Sequence, residues 1–285
     1  MSLLYGRSRI TRSIAIGSVV AITIVGLSVG YAQQIWVGGG GYWRRPRLAT
    51  AEDFDGSFQF CRGYYESVRF EPSGRGWGTD YPGADNNFSV RLAELTRGRV
   101  KLGVDRQPHH VVVGLTDPML NRCPILFMED VGTVGFSEPE IQALHKYFLK
   151  GGFLWVDDFW GSRAWGNWVR ELARVLPPNE FPIFDIPLTH PVMHTLYDVN
   201  EVPQVSNIGF WRGSGGQTSE FGEDSGQVHF RGIQDSQGRL MVVMTHNTDI
   251  ADTWEREGAS KNYFSLFSPS GYALGVNVVL YAMTH

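Results

Sequence analysis

The chain has 285 residues, a formal net charge of −4 and 42% hydrophobic residues. This is enough for one substantial core or two small ones. Mild acidity argues against nucleic acid as a partner, because phosphate binding needs concentrated Lys and Arg. Two cysteines, Cys61 and Cys123, do not define a disulfide-stapled fold; they could pair in an oxidising compartment or stay as buried thiols.

Arg7, Arg9 and Arg12 give a basic start, and residues 14–29 follow without a charge. Basic then apolar is the order of an export signal, and the small residues Gly30 and Ala32 before Gln33 fit cleavage after Ala32. The reading is therefore 1–32 as signal peptide or signal anchor, 33–53 as a glycine-rich linker and 54–285 as a single α/β domain. A cleaved product would be periplasmic or secreted; an uncleaved one would be anchored to the inner membrane by residues 14–29. A buried N-terminal helix or strand is the remaining alternative, against which the three arginines weigh. Membrane contact is expected only through this N-terminal segment.

Phe58, Phe60, Tyr64 and Tyr65 mark a strand. Asp85 is placed to cap a helix carrying Phe88, Leu92 and Leu95, ending before Gly98. Residues 100–104, 110–115 and 125–128 read as strands, the last closing at Glu129-Asp130. Ser137 and Glu140 form a capping box, Phe136 and Ile141 a hydrophobic staple, and Ile141, Leu144 and Phe148 the buried stripe of a helix that Gly151-Gly152 stops. Residues 153–156 are at once a strand, which is the α/β alternation of a mostly parallel sheet.

A second amphipathic helix is predicted over 164–176, with Trp165, Val169, Leu172 and Leu176 inward. Residues 206–226 lack a period and read as a long loop, a lid or binding loop by length or else a tolerated surface insertion. Residues 240–245 form an apolar strand, and 272–283 a docked C-terminal helix too short to be a second membrane span.

No C-x-x-C, G-x-G-x-x-G, phosphate-loop or G-x-S-x-G signature occurs, so no cofactor-binding residue is assigned. Asp157 and Asp158 follow a buried strand, and ligands of open α/β sheets bind beyond the carboxyl ends of strands. Adjacent strand residues face opposite sides, so at most one faces a given cleft. Asp249 follows another strand, near His246 and Glu255, while Asp80 and His190 lie in loops. Asp80, Asp157, Asp158, His190, His246, Asp249 and Glu255 are thus catalytic candidates, and Asp80, Asp158, His190 and Asp249 metal candidates. Each also has a local role open to it, as cap, turn former or satisfied structural histidine.

The motifs Trp77-Gly78-Thr79-Asp80-Tyr81-Pro82-Gly83-Ala84-Asp85-Asn86-Asn87-Phe88, Gly151-Gly152-Phe153, Val156-Asp157-Asp158, His190-Pro191, Asn247 with Asp249, Trp254-Glu255 and Gly275-Val276-Asn277-Val278-Val279-Leu280-Tyr281-Ala282 occur in order. Together they resemble an uncharacterised bacterial family, domain of unknown function 4159, over about residues 54–285. The resemblance implies an exported or membrane-associated protein with a glutamine amidotransferase-like, flavodoxin-like fold, a three-layer α/β/α sandwich. No cysteine sits in a strand-to-helix elbow, so amidotransferase chemistry does not follow.

Two functions are expected. The first is a non-catalytic envelope module binding a protein, peptide or glycan through loops at the carboxyl edge of the sheet. The alternative is a metal-assisted or carboxylate/histidine hydrolase or transferase. No cofactor is called for beyond a divalent metal that the second reading could use.

Overall fold

The computed structural model describes residues 46–72 and 74–285. The export segment, its cleavage point and most of the linker lie outside them.

The chain alternates β1 (Cys61–Tyr64), α1 (Gly83–Leu95), β2 (Val111–Gly114), β3 (Ile125–Glu129), α2 (Glu138–Leu149), β4 (Phe153–Asp157) and α3 (Gly161–Val175). It continues with β5 (Phe184–Asp185), α4 (Ile208–Gly213), β6 (His229–Gln234), β7 (Leu240–His246), α5 (Asp252–Glu255) and α6 (Lys261–Thr284). One seven-stranded sheet results, in the order β2-β1-β3-β4-β7-β6-β5. β2, β1, β3, β4 and β7 run parallel, whereas β6 and β5 add an antiparallel edge.

Helices flank the sheet on both faces. Leu126, Met128, Leu154, Val156 and Met244 meet Leu144, Phe148, Trp168 and Leu172 of α2 and α3. Strand alternation sends Phe127, Trp155 and Val243 to the other face, against Phe88 of α1, Trp254 of α5 and Val276 of α6. Both faces being covered explains why β3 and β4 are buried from end to end.

The Ser137–Glu140 capping box forms, with Ser137 N donating to Glu140 Oε2 at 2.8 Å. Gly151 takes the left-handed φ of 96° after α2, and a Cβ on Gly152 would meet the Tyr147 ring at 2.5 Å. Both glycines are therefore needed for the sharp return into β4. α3 starts earlier than predicted and buries Ala164, Trp168, Leu172 and Val175, with Trp165 and Val169 only half-buried beside that stripe.

Residues 100–104 make no strand: Val100 bridges Phe58, Leu102 bridges Pro108, and Val104 is exposed. Asp85 is not a cap but the third residue of α1, fully buried, and Leu95 points to solvent. Cys61 and Cys123 are joined in a disulfide that ties β1 to the turn before β3.

The C-terminal helix is twice the predicted length. Its 24 residues are long and apolar enough to cross a membrane, although more than half of the apolar stretch is buried in the fold. The expectation that membrane contact could come only through the N-terminal segment is thereby corrected. Among the described residues it is α6, near the C-terminus, that has span length and composition. Its extra turns begin at Ser260, whose Oγ accepts from Tyr263 N as N-cap. A Cβ on Gly271 or Gly275 would strike Thr253 or Trp254, so these two positions let α6 lie directly on α5.

Candidate metal centre at the carboxyl edge

β3, β4 and β7 end in the same way. The last or next-to-last residue turns a polar side chain to the α1/α5/α6 face: Glu129, Asp157 and Thr245. The residue after each strand is left-handed: Asp130 at φ 49°, Asp158 at 49° and Asn247 at 62°. Asp80, in the turn before α1, adopts φ 54°. Asp and Asn tolerate this region better than other side chains, yet each such residue costs about 1 kcal/mol or more. Four of them at one edge point to a site for which the backbone is held in a demanding shape.

The parallel register puts Glu129 directly beside Asp157. After β7, Asp249, Asp252 and Glu255 recur every three residues; Asp249 Oδ1 accepts from Asp252 N at 2.7 Å at the start of α5, and all three bring an oxygen near Asp80. Oxygens of Asp80, Glu129 and Asp249 lie within 4.8 Å of one another, as do those of Asp80, Asp252 and Glu255. This is a buried acidic cluster able to chelate a divalent cation.

Two arginines offset part of the charge. Arg62 of β1, fully buried, ion-pairs with both Asp85 and Glu129, and its Nη1 donates to Thr79 O at 3.2 Å. Arg256 Nε approaches Asp252 at 3.2 Å and Glu255 at 2.7 Å. Even so, Glu129 Oε1 and Asp80 Oδ2 are buried without a hydrogen-bond partner among the described residues. A buried carboxylate oxygen left this way costs free energy unless a proton or a cation meets it.

Burial, followed by the charge of Asp80, holds the carboxyls of Asp158 and Asp249 well above the usual range. The same two causes push Asp252 up to about 7 and Glu255 up to about 9. Burial raises Glu129 well above its ordinary value despite Arg62, and Asp157 to about 7 despite its hydrogen bonds. Without a cation, much of the cluster therefore holds protons near neutral pH; a bound cation would exchange with them.

The structure separates the sequence-predicted residues by role. Asp80, Asp249 and Glu255 come together, and Asp158 feels the charge of Asp80 while its Oδ1 accepts from Trp160 Nε1 at 2.7 Å. Asp157 clamps the turn after β7, accepting from Thr245 Oγ1 and from Ala251 N at 2.9 Å. His246 faces the other side of the sheet, stacked on Trp165 and hydrogen-bonded to Gly161 O at 3.2 Å; burial pushes its imidazole down to about 4. His190 is at the opposite edge, against Tyr281, whose hydroxyl meets Leu240 N at the start of β7. It accepts from Val192 N at 3.1 Å as the cap of a short turn, and a ligand role beside Asp80 is corrected by that position.

Glu129, Asp252, Arg62 and Asp85 were missed. The first has the same signature as Asp157, an acidic pair closing a buried apolar run. Asp252 is the middle of the three-residue spacing from Asp249 to Glu255. No comparable pattern marks Arg62 or Asp85, whose roles need β1 and α1 to be brought together.

Segment 206–226 is not a loose loop. It contains α4 and lies against the cluster, Ile208 N donating to Asp252 Oδ2 at 2.9 Å and Asn207 N to Glu220 at 2.7 Å. Beside the cluster, a cleft of about 580 Å³ opens between the segment after β1 and the end of β3, lined by Ser67, Arg69, Phe70, Glu71, Gly76 and Asp130. Strand order reverses between β1 and β3, the position where open α/β sheets take ligands.

The buried acidic cluster overturns the expectation of a purely non-catalytic module for an envelope protein, peptide or glycan. A surface built only for docking has no use for carboxylates held out of water against one another, whereas metal-assisted chemistry does.

Residues 66–283 match the family described as domain of unknown function (DUF4159), and the chain belongs to that family. No curated protein matches it.

Proposed function

We propose that this DUF4159 member is a metal-assisted hydrolase or transferase, with a divalent cation held by Asp80, Glu129 and Asp249. The observation carrying this reading is the convergence of three carboxylates from separate segments within 4.8 Å, with Asp80 Oδ2 and Glu129 Oε1 buried and unpartnered among the described residues. The donors are all oxygen, which suits Mg²⁺, Mn²⁺ or Ca²⁺ better than softer metals. A cation there would polarise a phosphoryl or carbonyl oxygen and acidify water. Arg62 orients Glu129, Asp157 fixes the turn bearing Asp249, and the neighbouring cleft gives substrate an approach past Asp130.

The test is a hydrolase screen of the full-length protein over phosphoesters and amides, with and without Mn²⁺. Metal-dependent turnover is expected, and Glu129→Gln and Asp249→Asn should each lower it by about 100-fold or more. Absence of both cation binding and turnover in folded wild-type protein would end this reading.

The order β2-β1-β3-β4 supports a flavodoxin-like, glutamine amidotransferase-like assignment within the α/β/α class. Export to the periplasm or beyond, with residues 1–32 as signal or anchor and 33–53 as linker, is supported by the basic-then-apolar start and by the Cys61–Cys123 disulfide. Native mass and membrane fractionation test it: a chain retaining residues 14–29 would be heavier and sediment with membranes.

A further inference from the structure

Asp80 belongs to both carboxylate triads, one completed by Glu129 and Asp249 and the other by Asp252 and Glu255. We propose that the carboxyl edge holds two divalent cations bridged by the Asp80 carboxylate. This rests on the metal-assisted reading above and deepens it from one cation to a pair, the arrangement used for in-line displacement at phosphoryl and acyl centres.

Charge is the first argument. Asp80, Asp85, Glu129, Asp249, Asp252 and Glu255 are six carboxylates, and Arg62 and Arg256 are the two guanidiniums paired among them. Six against two leaves an excess of four negative charges when all are ionised, more than one divalent cation offsets. Asp157 and Asp158 add to that excess, because the hydrogen bonds from Thr245, Ala251 N and Trp160 hold their oxygens in place without neutralising their charge.

Shape is the second. Asp80 is 8% exposed and Glu129 fully buried, and each has an oxygen without a hydrogen-bond partner among the described residues. Such oxygens ask for a cation rather than for solvent. On the second triad's side, Gly83 opens α1, and a Cβ there would come within 2.6 Å of Glu255 Cγ. A bare backbone at that point is what lets Glu255 reach Asp80. Asp252 is aimed by Ile208 N at 2.9 Å and Tyr263 Oη at 3.1 Å, so its position does not depend on the cation.

The experiment is a Mn²⁺ titration of the full-length, metal-stripped protein, read by elemental analysis and electron paramagnetic resonance. Two Mn²⁺ per chain with an exchange-coupled multiline signal are expected. Glu129→Gln and Glu255→Gln, each checked for folding by circular dichroism, should each leave one uncoupled Mn²⁺. Wild-type protein with a single, uncoupled Mn²⁺ would overturn the pair while leaving the one-cation reading intact. Two uncoupled Mn²⁺ would overturn the Asp80 bridge, and no binding at all would overturn both readings. The wild-type stoichiometry and coupling decide the matter even where a variant fails to fold.

Discussion

The two faces of the sheet are built to different ends. On the α2/α3 face the interior is mainly apolar, with Trp168 wedged between Phe136 at 6.3 Å and the Met244 sulfur at 3.2 Å, and its few buried polar groups, such as Asn167 and Glu171, are hydrogen-bonded to backbone. On the α1/α5/α6 face an aromatic floor of Phe88, Phe127, Trp155 and Trp254 gives way, at the carboxyl edge, to buried Asp85, Asn86 and Asn87 of α1 and the acidic cluster. The first face supplies stability, and the second spends some of it on a site.

That contrast can be broken by experiment. Trp168→Ala should cost about 4 kcal/mol in denaturant unfolding, and cation affinity in the protein that remains folded should not change; a loss of affinity would mean the faces are not separable. Replacing Cys61 and Cys123 by Ala should cost about 4 kcal/mol, since the bond closes a sequence separation of 62 residues.

The acidic face should respond to pH in the opposite sense to an ordinary salt-bridged protein. Asp157 and Asp252 are pushed up to about 7, Asp130 to about 8 and Glu255 to about 9, in each case by burial first. The folded state therefore keeps protons that the unfolded chain releases near pH 4 to 5, so stability falls as pH rises from there and levels off only once pH has passed 7 to 9. The Tm of metal-stripped protein should fall over that window, and saturating Mn²⁺ should flatten the slope. The smallest effect has the most telling sign. Asp249→Asn should raise the metal-free Tm at pH 8 by a few degrees, about 1 kcal/mol, because a mutually repelling carboxylate is gone. The same change should weaken cation binding; lower stability instead would count against repulsion at this edge.

The packing face was the more legible in sequence. Ser137, Glu140 and the Ile141/Leu144/Phe148 stripe announce α2, and the unbroken apolar runs announce β3, β4 and β7. There local preference and tertiary need agree. α1 was harder to read because Asp85, Asn86, Asn87 and Ser89 face inward, which erases the apolar period and invites the reading of Asp85 as a cap. Residues 100–104 look like a strand because they alternate, but nothing covers Val104. Within the site, Asp80, Asp249 and Glu255 could be named from their places after strands and in turns. Arg62 could not, since its meaning depends on contact with residues distant in sequence. His190 was drawn in by proximity to proline in the chain, whereas the fold carries it to the other end of the strands.

The roof formed by residues 206–226 has a consequence in time rather than in energy. Ile208 and Tyr263 both hold Asp252, and Glu129 and Asp252 are closed off from solvent, so exchange of a cation held by these carboxylates would require local opening around them. Removal by a chelator should then be slow and limited by opening, with a rate independent of chelator concentration. An ion taken up as the chain folds would outlast later changes in its surroundings, and the metal content of the isolated protein would record the compartment in which folding took place.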